Sequence, residues 1–460
     1  MFSIDTYTNR RNTLKKKIKS GILLFLGNEE SPMNYFDNTY HFRQDSTFLY
    51  YFGLDFPGLA AIIDLDENHE IVFGNDLTVE DIVWMGTQPT LLERGRSYGI
   101  ENVQSVNKLA DYLNLAKLSG REIHFLPPYR PENRIKLQDL LGLPASSSHE
   151  SASKEFILAV VGQRNYKSDE EIAEIEKAVD ISVDMHVAAI KLAKAGMKES
   201  ELAAASQQIA VAAGGQISFP IIMTINGQTL HNHYHGNTLK PGDMVLCDCG
   251  AETNLHYSGD LSSTFPVDKQ FTAVQKQIYE ITLRAHEAAL AKLAPGTAFR
   301  EVHNAAGRET VVGLSELGIM KGNPDEAVKS GAHAMFFPCG TGHMMGMDVH
   351  DMEDLGEVYV GYDGEPKSTM FGFKSLRLAR TLEPGFVATI EPGVYFIPEL
   401  IDQWNSEKRH LDFINYEEVQ KYRDLGGIRN EEDVLITSEG YRVLGKRKPK
   451  TIEEIESLRS

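Results

Sequence analysis

Cysteine is scarce in this chain: Cys247, Cys249 and Cys339 are the only three in 460 residues. An odd and sparse set excludes a disulfide framework and points to a reducing compartment. Long apolar runs are missing too. No stretch approaches the ~20 residues a membrane helix requires, so the expectation is a cytoplasmic protein with no membrane partner. Basic charge is in short supply, with 46 Lys and Arg against 65 Asp and Glu, a formal balance of −19. A nucleic-acid backbone or an anionic membrane surface as main partner would need the opposite sign. What the chain does have is 42 % apolar and 9 % aromatic residues, enough to build cores and to exclude disorder.

The basic start (Arg10, Arg11, Lys15, Lys16, Lys17, Lys19) imitates a signal peptide, but the apolar run behind it, Ile22 to Leu26, is too short and lacks a small-residue cleavage site. It reads instead as a buried strand. Leu59 to Ile63 and Ile71 to Phe73 continue that pattern between turn residues, as in an α/β unit. The small, polar, proline-containing stretch Leu143 to His149 leads toward a boundary near residue 165. The expected organisation is an N-terminal α/β domain over 1–165, a catalytic domain over 166–445 and a tail over 446–460. The basic cluster Lys446 to Lys450 reads as a solvated face of that tail.

Ser168 with Glu171, and Thr272 with Gln275, are capping boxes that open two long helices, which Gly196 and Pro295-Gly296 are placed to end. Residues 181–205 laid on 281–305 pair Ile181 with Ile281, His186 with His286, Gly196 with Gly296 and Glu201 with Glu301. A second match sets Leu239-Lys-Pro-Gly and its strand, ending in Asp248, on Leu382-Glu-Pro-Gly and its strand, ending in Glu391. Both read L-x-P-G, a short apolar run, an acid, then x-G. The simplest account is a duplicated α+β half in which each copy sends one carboxylate from a strand end toward a pseudo-twofold centre.

Asp248 and Glu391 lie in apolar strands, where an ionised side chain is expensive unless compensated. Taken alone, Asp248 could equally be a satisfied strand-end acid, and Asp260 in Tyr257-Ser-Gly-Asp260 a turn residue. Glu431, in Gly426-Gly-Ile-Arg429-Asn-Glu431, is delivered into another apolar strand. Strand alternation puts it on the face of Arg429 and turns Glu432 away. The glycine-rich segment Gly342-His343-Met-Met-Gly-Met-Asp-Val-His350-Asp351 adds an imidazole. Oxygen-rich sites with one imidazole suit paired divalent ions such as Mn²⁺. His231-Asn-His233-Tyr-His235 would set three imidazoles on one strand face and could suggest zinc, but no other unassigned cluster completes it, which leaves His231 alone as a candidate.

These motifs, with Asp-Cys-Gly-Ala-Glu from Asp248, Thr389-Ile-Glu391-Pro-Gly-Val-Tyr395 and Tyr40-His-Phe-Arg-Gln-Asp-Ser-Thr-Phe-Leu-Tyr50, resemble the Xaa-Pro aminopeptidases and prolidases of the creatinase/methionine-aminopeptidase superfamily. The resemblance covers nearly the whole chain. It implies an aminopeptidase-P-like N-terminal domain followed by a pita-bread catalytic domain. It also implies two divalent metals, manganese foremost with zinc or cobalt as alternatives, bound by Asp248, Asp260, His343, Glu391 and Glu431. Within that set Asp260 and Glu431 match the bridging carboxylates, and Glu391 also matches the acid that takes a proton from the bridging water. His231 and His350 match substrate-contacting histidines, and Arg429 an orienting arginine. The implied reaction is hydrolysis of the bond before a proline in second position by a metal-bridging hydroxide, in a homodimer or homotetramer. A prolidase restricted to Xaa-Pro dipeptides is the alternative, suggested by Asp81-Ile-Val-Trp84-Met-Gly86. An inactive peptide-binding module is the remaining one, although such relatives lose ligands.

Three departures stand out. Asp248 and Asp260 are 260 − 248 = 12 residues apart, one more than the commonest spacing; Cys339 stands where many relatives carry a histidine; and Asn430 replaces an apolar residue. Every cysteine lies within four residues of an expected ligand. Thiol reagents are therefore expected to inhibit, and labelling all three without loss of rate would refute this.

Overall fold

A computed structural model describes residues 1–459. It divides into two compact units, Met1–Arg164 with Asp354–Tyr359, and Asn165–Glu353 with the remainder from Val360. Among the described residues no helix is long and apolar enough to cross a membrane.

The first unit is built on five strands: β1 (Ile22–Leu26), β2 (Ala60–Asp64), β3 (His69–Phe73), β4 (Val103–Gln104) and β5 (Ile123–Phe125), in the order β4-β3-β2-β1-β5. The run after the basic start is indeed a buried strand, because Ile22 and Leu24 join one apolar cluster while Phe25 packs against Tyr51, Phe52 and Phe156. The basic start is used internally. Arg11 is 1 % exposed and donates to Glu70 (2.6 Å) and to the Tyr51 carbonyl (2.8 Å), fastening helix Ile4–Lys15.

The second unit holds β6 (Gln216–Ile217), β7 (Ile222–Thr224), β8 (Met244–Cys249), β9 (Ala251–Glu252) and β10 (Leu261–Pro266), followed by β11 (Val387–Ile390), β12 (Gly393–Tyr395), β13 (Gly427–Arg429), β14 (Glu432–Ile436) and β15 (Tyr441–Val443). They form sheets ordered β10-β8-β7, β11-β14-β15, β12-β13 and β6-β9. Both capping boxes are present, at Ser168 and Thr272, opening helices Asp169–Leu192 and Ala273–Leu290.

The internal duplication is visible in hydrogen bonds. Gly196 N–H donates to Leu239 O (2.9 Å) and Leu239 N–H to Met197 O (2.8 Å); Gly296 N–H donates to Leu382 O (2.9 Å) and Leu382 N–H to Thr297 O (2.8 Å). The bridges Lys198 to Thr238 and Ala298 to Thr381 repeat at the same offsets. Each half thus clasps its helical connection onto its L-x-P-G segment. The two glycines adopt φ of 91° and 86°, which a side chain would strain. They do not cap the helices as expected. The helices stop at Leu192 and Leu290, because the chain must already turn to bring each glycine N–H to its leucine carbonyl.

Two other expectations need correction. Residues 231–236 are irregular, with no strand to align three imidazoles. The cluster Lys446 to Lys450 is solvated only in part: Lys446 and Arg447 are exposed, but the rest turns inward. Lys448 is 2 % exposed and its Nζ donates to Ser262 O (2.7 Å), Ser263 Oγ (3.2 Å) and Asn430 Oδ1 (3.4 Å). Lys450 meets Glu432 at 2.7 Å, and helix Ile452–Leu458 adds Ile452 and Ile455 to the core of the second unit. Apolar residues at helical spacing outweigh the local positive charge, which buried acceptors satisfy. The burial also explains Asn430, whose amide oxygen accepts from this ammonium. Lys448→Met keeps the alkyl stem and removes the donors, so the urea unfolding midpoint is expected to fall by the equivalent of about 2–4 kcal/mol. An unchanged midpoint would assign the lysine no structural role.

Candidate metal centre

All eight residues singled out in the sequence line one cavity of ≈ 220 Å³ inside the second unit: His231, Asp248, Asp260, His343, His350, Glu391, Arg429 and Glu431. Asp248 comes from β8 and Glu391 from the end of β11, the matching strands of the two halves. Asp260 precedes β10, where its N–H donates to Asp433 Oδ2 (3.0 Å). His343 is brought close by Gly342, where a Cβ would stand 1.9 Å from Thr389 O. Only glycine allows that segment to lie against β11.

Glu431 reaches the cavity beside Arg429, on the face that strand alternation predicts. The ladder is interrupted between β13 and β14, and Glu431 sits in the break, its N–H donating to Ser262 O (3.2 Å). Glu432 rejoins the ladder opposite Ile390, and its side chain meets Lys450, not the cavity. Glu431 thus lines the cavity with Arg429 and Glu432 does not, the faces alternating across the interruption as Asn430 turns to Lys448.

His343 shows what the centre is built to hold. Its Nδ1 lies 3.0 Å from Met344 O, which assigns the proton to Nδ1 and leaves Nε2 as a lone pair. That lone pair faces Asp260 Oδ2 at 3.3 Å and Glu391 Oε1 at 3.7 Å. Burial keeps the imidazole neutral, holding its pKa below the usual value. A lone pair opposed to two carboxylates is repulsive unless a metal cation or a proton lies between them. Donor atoms of Asp260, His343 and Glu431 lie within 4.8 Å of one another, so the residues fit a metal ion.

The carboxylates report the same need. Burial pushes Asp260 up to about 8, with Asp248 adding like charge, and pushes Glu391 up to about 7. Glu431 rises well above its ordinary value for the same reason. Arg429 is the counter-charge in place: it donates to Asp248 Oδ2, to Tyr395 Oη (2.9 Å) and to Ser262 Oγ (2.8 Å). Ser262 Oγ in turn donates to Glu431 Oε2 at 2.8 Å. Asp248 Oδ1 is buried without a partner.

At the far wall, His350 Nδ1 meets Glu353 Oε2 at 2.5 Å, and Arg377 Nε meets the same oxygen at 3.3 Å. Both His350 and Arg377 line the cavity, as does His233 beside His231. His235 is turned away to Ile221 O (2.9 Å). Arg377, Glu353 and Asp433 were not found from the sequence, and His233, set aside there in favour of His231 alone, lines the cavity as well. Arg377 stands in Ser375-Leu-Arg-Leu-Ala-Arg380, where two arginines look alike and only the fold separates them. Asp433 had a signal in the acidic run Glu431-Glu432-Asp433. Of the thiols, Cys339 lines the cavity, while Cys247 and Cys249 are fully buried away from it.

Residues 173–438 match the model of metallopeptidase family M24, and residues 7–124 that of the aminopeptidase P N-terminal domain. The chain is 33 % identical to the Xaa-Pro dipeptidase of Homo sapiens over 95 % of its own length and 88 % of that protein. It is 32 % identical to a probable Xaa-Pro aminopeptidase, pepP, of Aspergillus niger, over 92 % of the chain and 89 % of the relative. The solved structure of Pseudomonas aeruginosa aminopeptidase PepP superposes with a TM-score of 0.82 at 27 % identity, covering 99 % of this chain and 98 % of that one.

With metal removed, the raised acids make stability depend on pH. Unfolded Asp and Glu titrate near 4, whereas folded Asp260 and Glu391 titrate at about 8 and about 7. Between those limits these two carboxyls bind more protons in the folded chain, so their contribution to stability falls as pH rises from about 4 to 8, while buried His286, His303 and His333, held at about 3, about 3 and about 4, act the opposite way up to about 6.5. The melting temperature of chelator-treated protein is expected to be lower at pH 8 than at pH 7, above the range in which the histidines oppose it, and Asp260→Asn to flatten the slope. A melting temperature that climbs across this window would contradict it.

Proposed function

The chain belongs to metallopeptidase family M24, and on that footing we propose that it hydrolyses the bond between a first residue and a proline in second position. The observation that carries this reading is the His343 lone pair set against Asp260 and Glu391 in a cavity that also holds Asp248 and Glu431. Two divalent ions, manganese foremost, held by these five side chains would supply a Lewis acid for the scissile carbonyl and a water acidic near neutral pH. The intact donor set weighs against an inactive binding module.

The chain's own residues do the rest. Glu391, in the cavity wall, can take a proton from water and pass it to the proline nitrogen, which leaves as an amine. Such help matters because an Xaa-Pro bond is a tertiary amide without an N–H. Glu353 holds His350 by Nδ1, leaving Nε2 as its free nitrogen, and with His231 it forms the wall against which the substrate carbonyl is oriented. Arg429 keeps Asp248 and, through Ser262, Glu431 in place.

Arg377 bears on substrate length. A guanidinium in the cavity wall recognises a carboxylate through paired hydrogen bonds, and a free carboxylate lies on the proline only in a dipeptide. The better-fitted substrate is therefore Xaa-Pro, in line with the human relative's name. Cleavage of longer peptides, the expectation from the sequence, is the second reading, supported by the likeness to PepP. Rates on Xaa-Pro and Xaa-Pro-Yaa with and without Mn²⁺ decide. We expect Mn²⁺ dependence, a preference for the dipeptide, and a rise in dipeptide KM of about 10–100-fold in Arg377→Ala. A tripeptide cleaved as fast as the dipeptide would favour the aminopeptidase. Asp260→Ala should lower the rate by more than about a hundredfold, and full activity without metal would overturn the whole reading.

A further inference from the structure

The loop that brings His231 to the cavity is anchored from outside it. Residues 225–237 run from the end of β7 toward β8 without helix or strand, and all but Gly227 are partly or fully exposed. His231 and His233, near the middle, line the cavity. A loop with so little packing of its own places its side chains only as well as its ends are held.

Glu199 holds both ends. It opens helix Glu199–Ala212 and is 0 % exposed. Its Oε1 accepts from the Ile225 N–H (2.8 Å) and from Asn237 Nδ2 (3.1 Å), and its Oε2 accepts from the Asn237 N–H (3.2 Å) and from the same Nδ2 (3.0 Å). All four come from N–H donors, which suits an acceptor-only carboxylate at the positive end of a helix. In return the Glu199 N–H donates to Asn237 O (3.0 Å) and the Ser200 N–H to His235 O (3.1 Å). One buried side chain thus ties together two residues 237 − 225 = 12 positions apart. Between them, Asn232 Nδ2 donates to Thr224 Oγ1 (3.0 Å), which pins the residue after His231 to the end of β7.

The other half of the duplication keeps the backbone of this arrangement and changes the side chain. Phe299 stands where Glu199 does: it opens helix Phe299–Glu316, and its N–H donates to Arg380 O (2.9 Å) as the Glu199 N–H does to Asn237 O. Its ring is 0 % exposed and lies beside Gly342, where a Cβ would stand 3.1 Å from Phe299 Cζ. Each half therefore uses the first residue of this helix to support a segment that carries a cavity histidine. Packing suffices for His343, whose segment is buried, whereas the exposed loop of His231 requires directed hydrogen bonds.

We propose that Glu199 is a positioning residue: it clasps residues 225–237 so that His231 stands in the cavity wall. The inference rests on the reading of His231 as part of the wall that orients the substrate carbonyl.

Glu199→Gln keeps the size of the side chain and replaces an acceptor by donors that oppose those of the loop. Asn237→Ala loosens the same clasp from the other side and serves where the first variant folds poorly. Amide hydrogen exchange, metal content, kcat and KM are measured on the full-length, Mn²⁺-loaded protein. Exchange at residues 225–237 is expected to speed up by about tenfold while β8 keeps its protection. On Xaa-Pro, kcat should fall about tenfold with KM and metal content unchanged. Added to His231→Ala, the Glu199→Gln change should lower kcat by less than about twofold more, because both act through one contact. A purely structural role would instead give losses that multiply in full. Unchanged exchange, an unaltered kcat, or such full multiplication would overturn the proposal. An inactive wild type would overturn the reading of the cavity, and the exchange result alone then upholds or overturns the clasp.

Discussion

Buried negative charge is the constraint around which the second unit is arranged. Asp260, Glu391 and Glu431 are raised by their burial, Asp248 stands among them with one oxygen unpartnered, and His343 turns a lone pair toward two of the four. Arg429 supplies one positive charge and spreads it over Asp248, Ser262 and Tyr395. Such a set stays ionised only with further cations, since like charges at these separations otherwise force protonation. The interruption between β13 and β14, the close approach at Gly342 and the Asp433 hold on the Asp260 N–H all bring acids together against their mutual repulsion.

Much of that arrangement can be read from short words in the chain, because each word encodes a local constraint. The capping boxes at Ser168 and Thr272 are local by nature, and so is Gly342, which must be small to let His343 approach. The internal match between the strands ending in Asp248 and Glu391 pointed to a shared centre because a strand end is a fixed direction. Where the reading failed, the cause was long range. The basic cluster around Lys448 looks solvated until its acceptors, Ser262 and Ser263 far earlier in the chain, are folded beneath it. Arg377 and Arg380 differ only in where the fold sends them. Alternation carries through residue 431 although the ladder is broken there: Arg429 and Glu431 line the cavity, while Asn430 and Glu432 meet Lys448 and Lys450.

The substrate wall is ordered by a carboxylate with two tasks. Glu353 accepts from both His350 and Arg377 and is itself held down to about 2 by that pair, with the His350 hydrogen bond the larger influence. A group so firmly ionised orients both neighbours across the whole working range of pH. The imidazole proposed to meet the substrate and the guanidinium proposed to select it are therefore coupled through one side chain.

The matched clasps at Gly196 and Gly296 carry a consequence for ancestry. Two copies of one half associating as separate chains would form a symmetric pair, and any centre on their axis would be restricted to identical donors from each side. Fusion into one chain lifts that restriction. Selection could then place His343 in one copy with no imidazole opposite, and set Glu199 in one copy where Phe299 stands in the other. The asymmetry of the present centre is in this sense what duplication within a single gene made accessible.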